Sequence, residues 1–255
     1  MTVSVSTASP AFDIFSLVSC EDVKAHLELL HAFHEIRKNS SDDTWQQRVN
    51  DSVAKFQTWA RQVQPTANSY GSVDLDILMV WHTYLLNPVN YQHDAARFYP
   101  TLLQLDFADV VNVARMARGS LTPQGANKPD EAAPLPNLPA TAELSDLEAA
   151  VQRQASFIDK VARLGWGEKA TDEFFTSCIH RYGCFLDLMK TGTVHSLVPT
   201  LDIDLAWHTH QLRGSRYCKE TKEILGHVLN HDDSIPETQL SKSFDETNAA
   251  WQARL

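Results

Sequence analysis

Two stretches of this 255-residue chain are near copies of each other. Sliding the chain by 126 residues lays Asp74–Tyr91 (DLDILMVWHTYLLNPVNY) on Thr200–Tyr217 (TLDIDLAWHTHQLRGSRY) without a gap. Eight of the eighteen positions are identical: Leu75/Leu201, Asp76/Asp202, Ile77/Ile203, Trp81/Trp207, His82/His208, Thr83/Thr209, Leu86/Leu212 and Tyr91/Tyr217. Two Trp-His-Thr triplets in one register make duplication the economical account. Each copy opens near an Asp or Thr, runs through an apolar stretch and breaks at Pro88 or Gly214, the start and stop signals of a helix of about four turns. Duplicated helical units each carry an apolar face to bury, and they pack face to face around a pseudo-twofold axis.

The rest of the chain reads as helix too. Cys20 to Lys38 places Val23, Leu27, Leu30, Phe33 and Ile36 at three- and four-residue spacing, the period of an amphipathic helix. Thr44 to Val63 repeats the pattern, as do Leu144 to Leu164 and Thr171 to Met189. Ser145 followed by Glu148 gives the third of these a capping box. Alternating β-branched runs between tight-turn dipeptides are missing, so the fold expected is all-α. Five of the eleven prolines fall in residues 119–143, which reads as an extended linker. The expected organisation is therefore a frayed tail over 1–10, a first helical repeat over 11–118, the Pro-rich linker, and a second repeat over 144–255.

Composition removes several classes of function. The chain carries 32 acidic against 22 basic residues, a formal charge of −10. Affinity for a phosphate backbone comes from clustered Lys and Arg releasing counterions, so a nucleic-acid partner is not expected. The longest strong apolar run, Ile77 to Trp81, is too short to span a bilayer, so no membrane association is expected. The N-terminus has no basic segment followed by an apolar one, hence no secretory signal. Cys20, Cys178, Cys184 and Cys218 show no CxxC pairing, and a chain of this size needs no disulfide framework. A reducing, cytoplasmic setting follows as the expectation. There is no phosphate loop, nucleophile elbow or dinucleotide fingerprint.

The second copy has gained ionisable groups where the first is apolar or aromatic. Leu78 corresponds to Asp204 and Tyr84 to His210. Asp204 and His208 are four apart and share a helix face, where a carboxylate orients an imidazole as a general base or a metal ligand. His208 and His210 lie about 200° apart around a helix axis, so the pair does not chelate one metal. His227 and His231 have i, i+4 spacing, a helical zinc geometry, and need a third ligand from His208 or Asp204. Cys218 has no supporting spacing. Asp76 and Asp202 sit where first-turn carboxylates cap helices. Trp81 and Trp207 read as core, with the indole N–H tied to a carbonyl. His31 and His34 read as a helix surface or an interface.

From Val198 to Asp233 (VPTLDIDLAWHTHQLRGSRYCKETKEILGHVLNHDD) the chain resembles the glycine-rich domain-containing protein family of plants and fungi. The features shared are D-x-D-x-x-W-H-T-H-Q-L, the pair Tyr217-Cys218 and the downstream H-D-D. The earlier copy matches the family's first W-H repeat, with Asn87-Pro88 and Tyr91 in place, and Phe244…Trp251 resembles the end of the domain. The likeness covers residues 15 to 255. It implies a link to development and stress responses but no settled molecular activity. Some members add glycine-rich or RNA-binding segments; with nine glycines in 255 residues, nothing of those segments carries over, and a domain-only member is expected. The family often has Pro after HQL, where this chain has Arg213-Gly214-Ser215, a change expected to loosen the turn.

Two functions follow as expectations. The first is a small-molecule enzyme with a His/Asp site in a cleft between the repeats. Its catalytic candidates are His208, Asp204, His210, His82, Tyr217 and Tyr91, and its metal candidates are His208, Asp204, His227 and His231. One divalent transition metal (zinc, iron or copper) would be its cofactor and a small molecule its ligand. The alternative is a non-catalytic scaffold that binds a protein partner, with the histidines as buried hydrogen-bonding groups.

Overall fold

The computed structural model describes residues 12–65, 73–109, 111–112, 146–191, 197–231 and 247–252. The expected tail, the 119–143 linker, Ser145, Asp232, Asp233 and Phe244 lie outside the described residues. Among the described residues every regular element is helical. The fold is all-α. No helix there is long and apolar enough to cross a membrane.

In the first half the longer helices are α1 (Cys20–Lys38), α2 (Asp42–Gln62), α3 (Leu75–Leu85) and α4 (Pro88–Phe98). The second half supplies α5 (Leu147–Leu164), the single turn α6 (Trp166–Lys169), α7 (Asp172–Lys190), α8 (Leu201–Gln211) and α9 (Ser215–Leu225). Local chemistry sets the ends. Ser19 accepts from the Asp22 N–H while the Asp22 carboxylate accepts from the Ser19 N–H, a reciprocal capping box that starts α1. The cap of α5 is Asp146, which accepts from the Ala149 N–H at 2.9 Å, one residue beyond the serine that the sequence pointed to. Each duplicated segment is a three-turn helix followed by a second helix, with Pro88 at the first position of α4, where its missing N–H costs nothing.

The halves interlock. Helices α2 and α3 pack together and take α5 from the second half against them, whereas α7 and α8 pack together and take α1 from the first. Helices α1 and α5 also pack on each other. One core results, running from Val23, Phe33 and Phe56 through Trp81 and Tyr91 to Phe185, Leu205 and Tyr217. At about 25 cal/mol per Å² of apolar area removed from water, burying these side chains stabilises the fold.

The two copied segments adopt one local arrangement. The Trp81 indole donates to the Tyr91 hydroxyl at 3.4 Å, and that hydroxyl donates to the Leu102 carbonyl at 3.0 Å. Likewise Trp207 donates to Tyr217 at 2.9 Å, and Tyr217 to the Leu229 carbonyl at 2.8 Å. The indoles thus reach a carbonyl through a tyrosine rather than directly. Asp76 and Asp202 form ion pairs with Arg48 (2.7 Å) and Arg181 (2.9 Å) of the preceding long helix instead of capping; the cap of α3 is Asp74.

Candidate metal centre

Three of the sequence candidates come together. His208 Nε2 faces His231 Nε2 at 3.2 Å and Asp204 Oδ1 at 3.2 Å. The three potential ligand atoms lie within 4.8 Å of one another. Asp204 and His208 are one turn apart on α8, so their meeting is local. His231 arrives from a different direction. Gly226, in the left-handed region at φ +83°, ends α9, and the chain folds back along that helix. Leu229 is pinned at both of its backbone groups: its carbonyl accepts from Tyr217, and its N–H donates to Thr221 Oγ1 at 3.3 Å. His231 is thereby set edge-on against Trp207 and His208, with ring centroids 5.0 and 4.8 Å apart.

Tautomers follow from the partners. His231 Nδ1 lies 2.9 Å from the Leu86 carbonyl, which can only accept, so the proton is on Nδ1 and a lone pair on Nε2. A backbone carbonyl bonded to the far ring nitrogen is the usual support of a metal-bound histidine. Asp204 Oδ1 is buried, with His208 Nε2 at 3.2 Å as its near polar neighbour, and His208 Nδ1 has no hydrogen-bond partner. Burial alone would raise the Asp204 carboxyl, but His208, His231 and Lys160 overrule it and hold the group below its ordinary value. It is an ionised, buried carboxylate beside two imidazoles. Phe157 of α5 closes one side, its ring centroid 4.5 Å from that of His208.

The other candidates lie elsewhere. His210 is fully buried and points away from His208, as helical geometry requires. Its Nε2–H donates to Glu220 at 2.8 Å, so its Nδ1 accepts from the Tyr182 hydroxyl at 2.9 Å. Burial lowers its affinity for a proton, against the pull of Glu220. His82 is fully buried and pairs with His26 Nε2 to Nε2 at 2.9 Å. Thr209 donates to the Leu205 carbonyl and accepts from His26 Nδ1 at 2.9 Å, so the His26–His82 proton belongs to His82 Nε2. Burial, then the nearby His208, pushes the His82 pKa down to about 3. Tyr91 and Tyr217 have their hydroxyls on backbone carbonyls, and burial pushes both well above the ordinary phenol value. His227 is exposed, past the end of α9; the helical i, i+4 pairing with His231 does not form, because Gly226 has already ended the helix. All four cysteines are free, and burial pushes the Cys218 thiol up to about 11.

The sequence reading missed His26, Tyr182, Glu220 and the Leu86 carbonyl. One signal was available: Tyr84/Asp94 and His210/Glu220 occupy equivalent positions of the two copies, and Asp94 stands beside Tyr84 as Glu220 stands beside His210. Gly214, at φ +56°, forms the turn before α9, where a Cβ would meet Leu85 at 3.4 Å. With Arg213 bonded to Asp22 at 2.7 Å, that turn is held in place rather than loosened.

Residues 121–220, which include α8 with Asp204 and His208, match the family described as glycine-rich domain-containing protein-like. That region belongs to the glycine-rich domain-containing protein-like family. Glycine-rich domain-containing protein 2 of Arabidopsis thaliana is 33% identical over 202 residues, 70% of this chain and 25% of that protein. Glycine-rich domain-containing protein 1 of the same plant is 34% identical over 204 residues, 70% of this chain and 24% of that protein. The matched part of the chain thus spans about a quarter of these relatives' length. No solved structure matches.

Proposed function

We propose that Asp204, His208 and His231 bind one divalent transition metal, with zinc the best fit, and that the protein is a small-molecule enzyme built on that centre. A single observation carries this reading. Two ligand bonds of roughly 2.05 Å at the tetrahedral angle put their donor atoms about 3.3 Å apart; the two pairs that include His208 Nε2, with His231 Nε2 and with Asp204 Oδ1, are each 3.2 Å apart, and all three atoms lie within 4.8 Å of one another. A dication there would take the buried Asp204 oxygen and both imidazole lone pairs together. Three protein ligands leave a position open, the pattern of catalytic rather than structural zinc. A metal so held supplies Lewis acidity and an activated water at neutral pH, which suits hydrolytic chemistry. The chain's own contribution is to fix His231 through Leu86, keep Asp204 ionised, and screen one side with Phe157.

A second reading is favoured by His82, whose full burial and pairing with His26 describe a packing group. On it the protein is a non-catalytic scaffold, and His208 and His231 share only a proton. Elemental analysis separates the two. Protein purified without a histidine tag and then titrated with zinc should hold about one equivalent, and His208→Ala and His231→Ala should each hold none. Wild-type protein that takes up no more metal than either variant would leave the scaffold reading standing.

A further inference from the structure

Beside the Asp204 centre, a cleft of about 310 Å³ opens between α1 and α5, lined by Arg37, Gln152, Ser156, Asp159, Lys160 and Arg163. Its charge is unusual for this molecule. A chain with a formal charge of −10 here gathers three cationic side chains around one carboxylate. That carboxylate, Asp159, is already engaged by His34 at 2.9 Å. Arg37 spends part of its guanidinium on Asp42 at 2.7 Å, but Asp42 is almost wholly exposed, so solvent screens that pair. Ser156 adds a neutral donor, and Gln152, whose amide already donates to Gln46 at 3.0 Å and accepts from Trp45 at 2.8 Å, has one N–H left to give. The volume is at the lower end of small-molecule sites, roughly 300 Å³ and up.

An apolar recess adjoins the cleft. Arg37 and Asp159 also border a recess of about 10 Å³ walled by Phe33, Trp45, Met79 and Ile158, room for about one water-sized group. Lys160 links the cleft to the metal centre. It lines the cleft and also lies within electrostatic reach of Asp204, while Phe157, one turn away on α5, covers His208.

We propose that this cleft binds the phosphate group of a small phosphorylated molecule, with Arg37, Lys160 and Arg163 as its cationic frame and Ser156 and Gln152 as neutral donors. A doubly charged oxyanion with several acceptor oxygens matches two guanidiniums and an ammonium; a monocarboxylate leaves a cation and the neutral donors without a partner. That the bound molecule is the substrate of the adjacent centre rests on the function proposed above. Binding in the cleft does not, because none of the metal ligands line it.

The test is calorimetric titration of the whole chain, at fixed ionic strength, with inorganic phosphate and with the matched pair phenyl phosphate and benzoate. Phenyl phosphate should bind at one site at least ten times more tightly than benzoate. Arg163→Glu and Lys160→Glu, both exposed positions, should each weaken it at least tenfold. Arg163 is not among the groups acting on Asp204, so Arg163→Glu should leave the metal content unchanged. No saturable binding, equal binding of benzoate, or binding indifferent to both variants would overturn the proposal. His231→Ala separates the two ideas: phosphate binding that survives in this metal-free variant supports the cleft, even if the wild type proves to hold no metal.

Discussion

His231 and Leu86 are 145 residues apart in the chain, yet the imidazole Nδ1–H of one donates to the backbone carbonyl of the other at 2.9 Å. Leu86 is the residue that ends α3, so the first half of the molecule fixes the tautomer of a histidine in the second. A backbone acceptor cannot be removed by substitution, but the donor can. His231→Phe keeps the ring packed against Trp207 and removes both nitrogens. Such a variant should fold and hold no metal. Its loss of stability should be about 1–3 kcal/mol, the cost of leaving a buried carbonyl unpaired, and urea unfolding beside elemental analysis measures both.

Asp202 and Asp204 give a sharper contrast, being two residues apart on one helix with different partners. Asp202 pairs with Arg181, both side chains partly exposed, and solvent-screened pairs contribute about 1 kcal/mol or less. Asp204 faces His208 and His231. Asp202→Asn should therefore cost little stability and leave zinc affinity unchanged, whereas Asp204→Asn should weaken zinc binding by at least 100-fold. Equal zinc affinities for the two variants would remove Asp204 from the ligand set.

The tyrosines share one local structure but differ in what depends on them. Tyr91→Phe and Tyr217→Phe each strand a buried indole N–H and a backbone carbonyl, and each should cost about 1–3 kcal/mol. Only Tyr217 pins Leu229, two residues before His231. Tyr217→Phe should then also lower zinc affinity by roughly 10–100-fold, the range for loss of an outer-shell support, while Tyr91→Phe leaves it alone. Competition with a chromogenic chelator reads the difference directly.

What was legible in the sequence was local. The 3.6-residue period of Val23, Leu27, Leu30 and Phe33 locates α1 because burial on one face is written in spacing. Asp204 beside His208 is a one-turn relation and was readable for the same reason. His231 was read as the i, i+4 partner of His227, with a third ligand from His208 or Asp204, and that rule assumed a helix that Gly226 ends. His26 meeting His82, and Tyr182 meeting His210, depend on α1 packing against α3 and α7 against α8. No periodicity within one helix encodes which other helix its polar residue will meet.

The buried histidines set the molecule's response to acid. In the folded chain burial lowers the affinity of His26, His82 and His210 for a proton, that of His82 to about 3; in the unfolded chain each titrates near 6.5. Above pH 6.5 neither state is protonated at these rings, and stability is unaffected. As pH falls below 6.5 the unfolded chain binds protons that the folded chain refuses, so stability declines. The slope is at most about 1.4 kcal/mol per pH unit for each such ring. Urea midpoints measured with a chelator present, to remove the separate pH dependence of metal binding, should fall from pH 7.5 to pH 5. Replacing His26 and His82 together with glutamine should lower stability at pH 7.5 yet flatten that fall, since two of the refusing rings are gone. A wild-type midpoint that stays level between pH 7.5 and pH 5 would mean that these rings accept protons without unfolding, and that the His26–His82 contact tolerates charge.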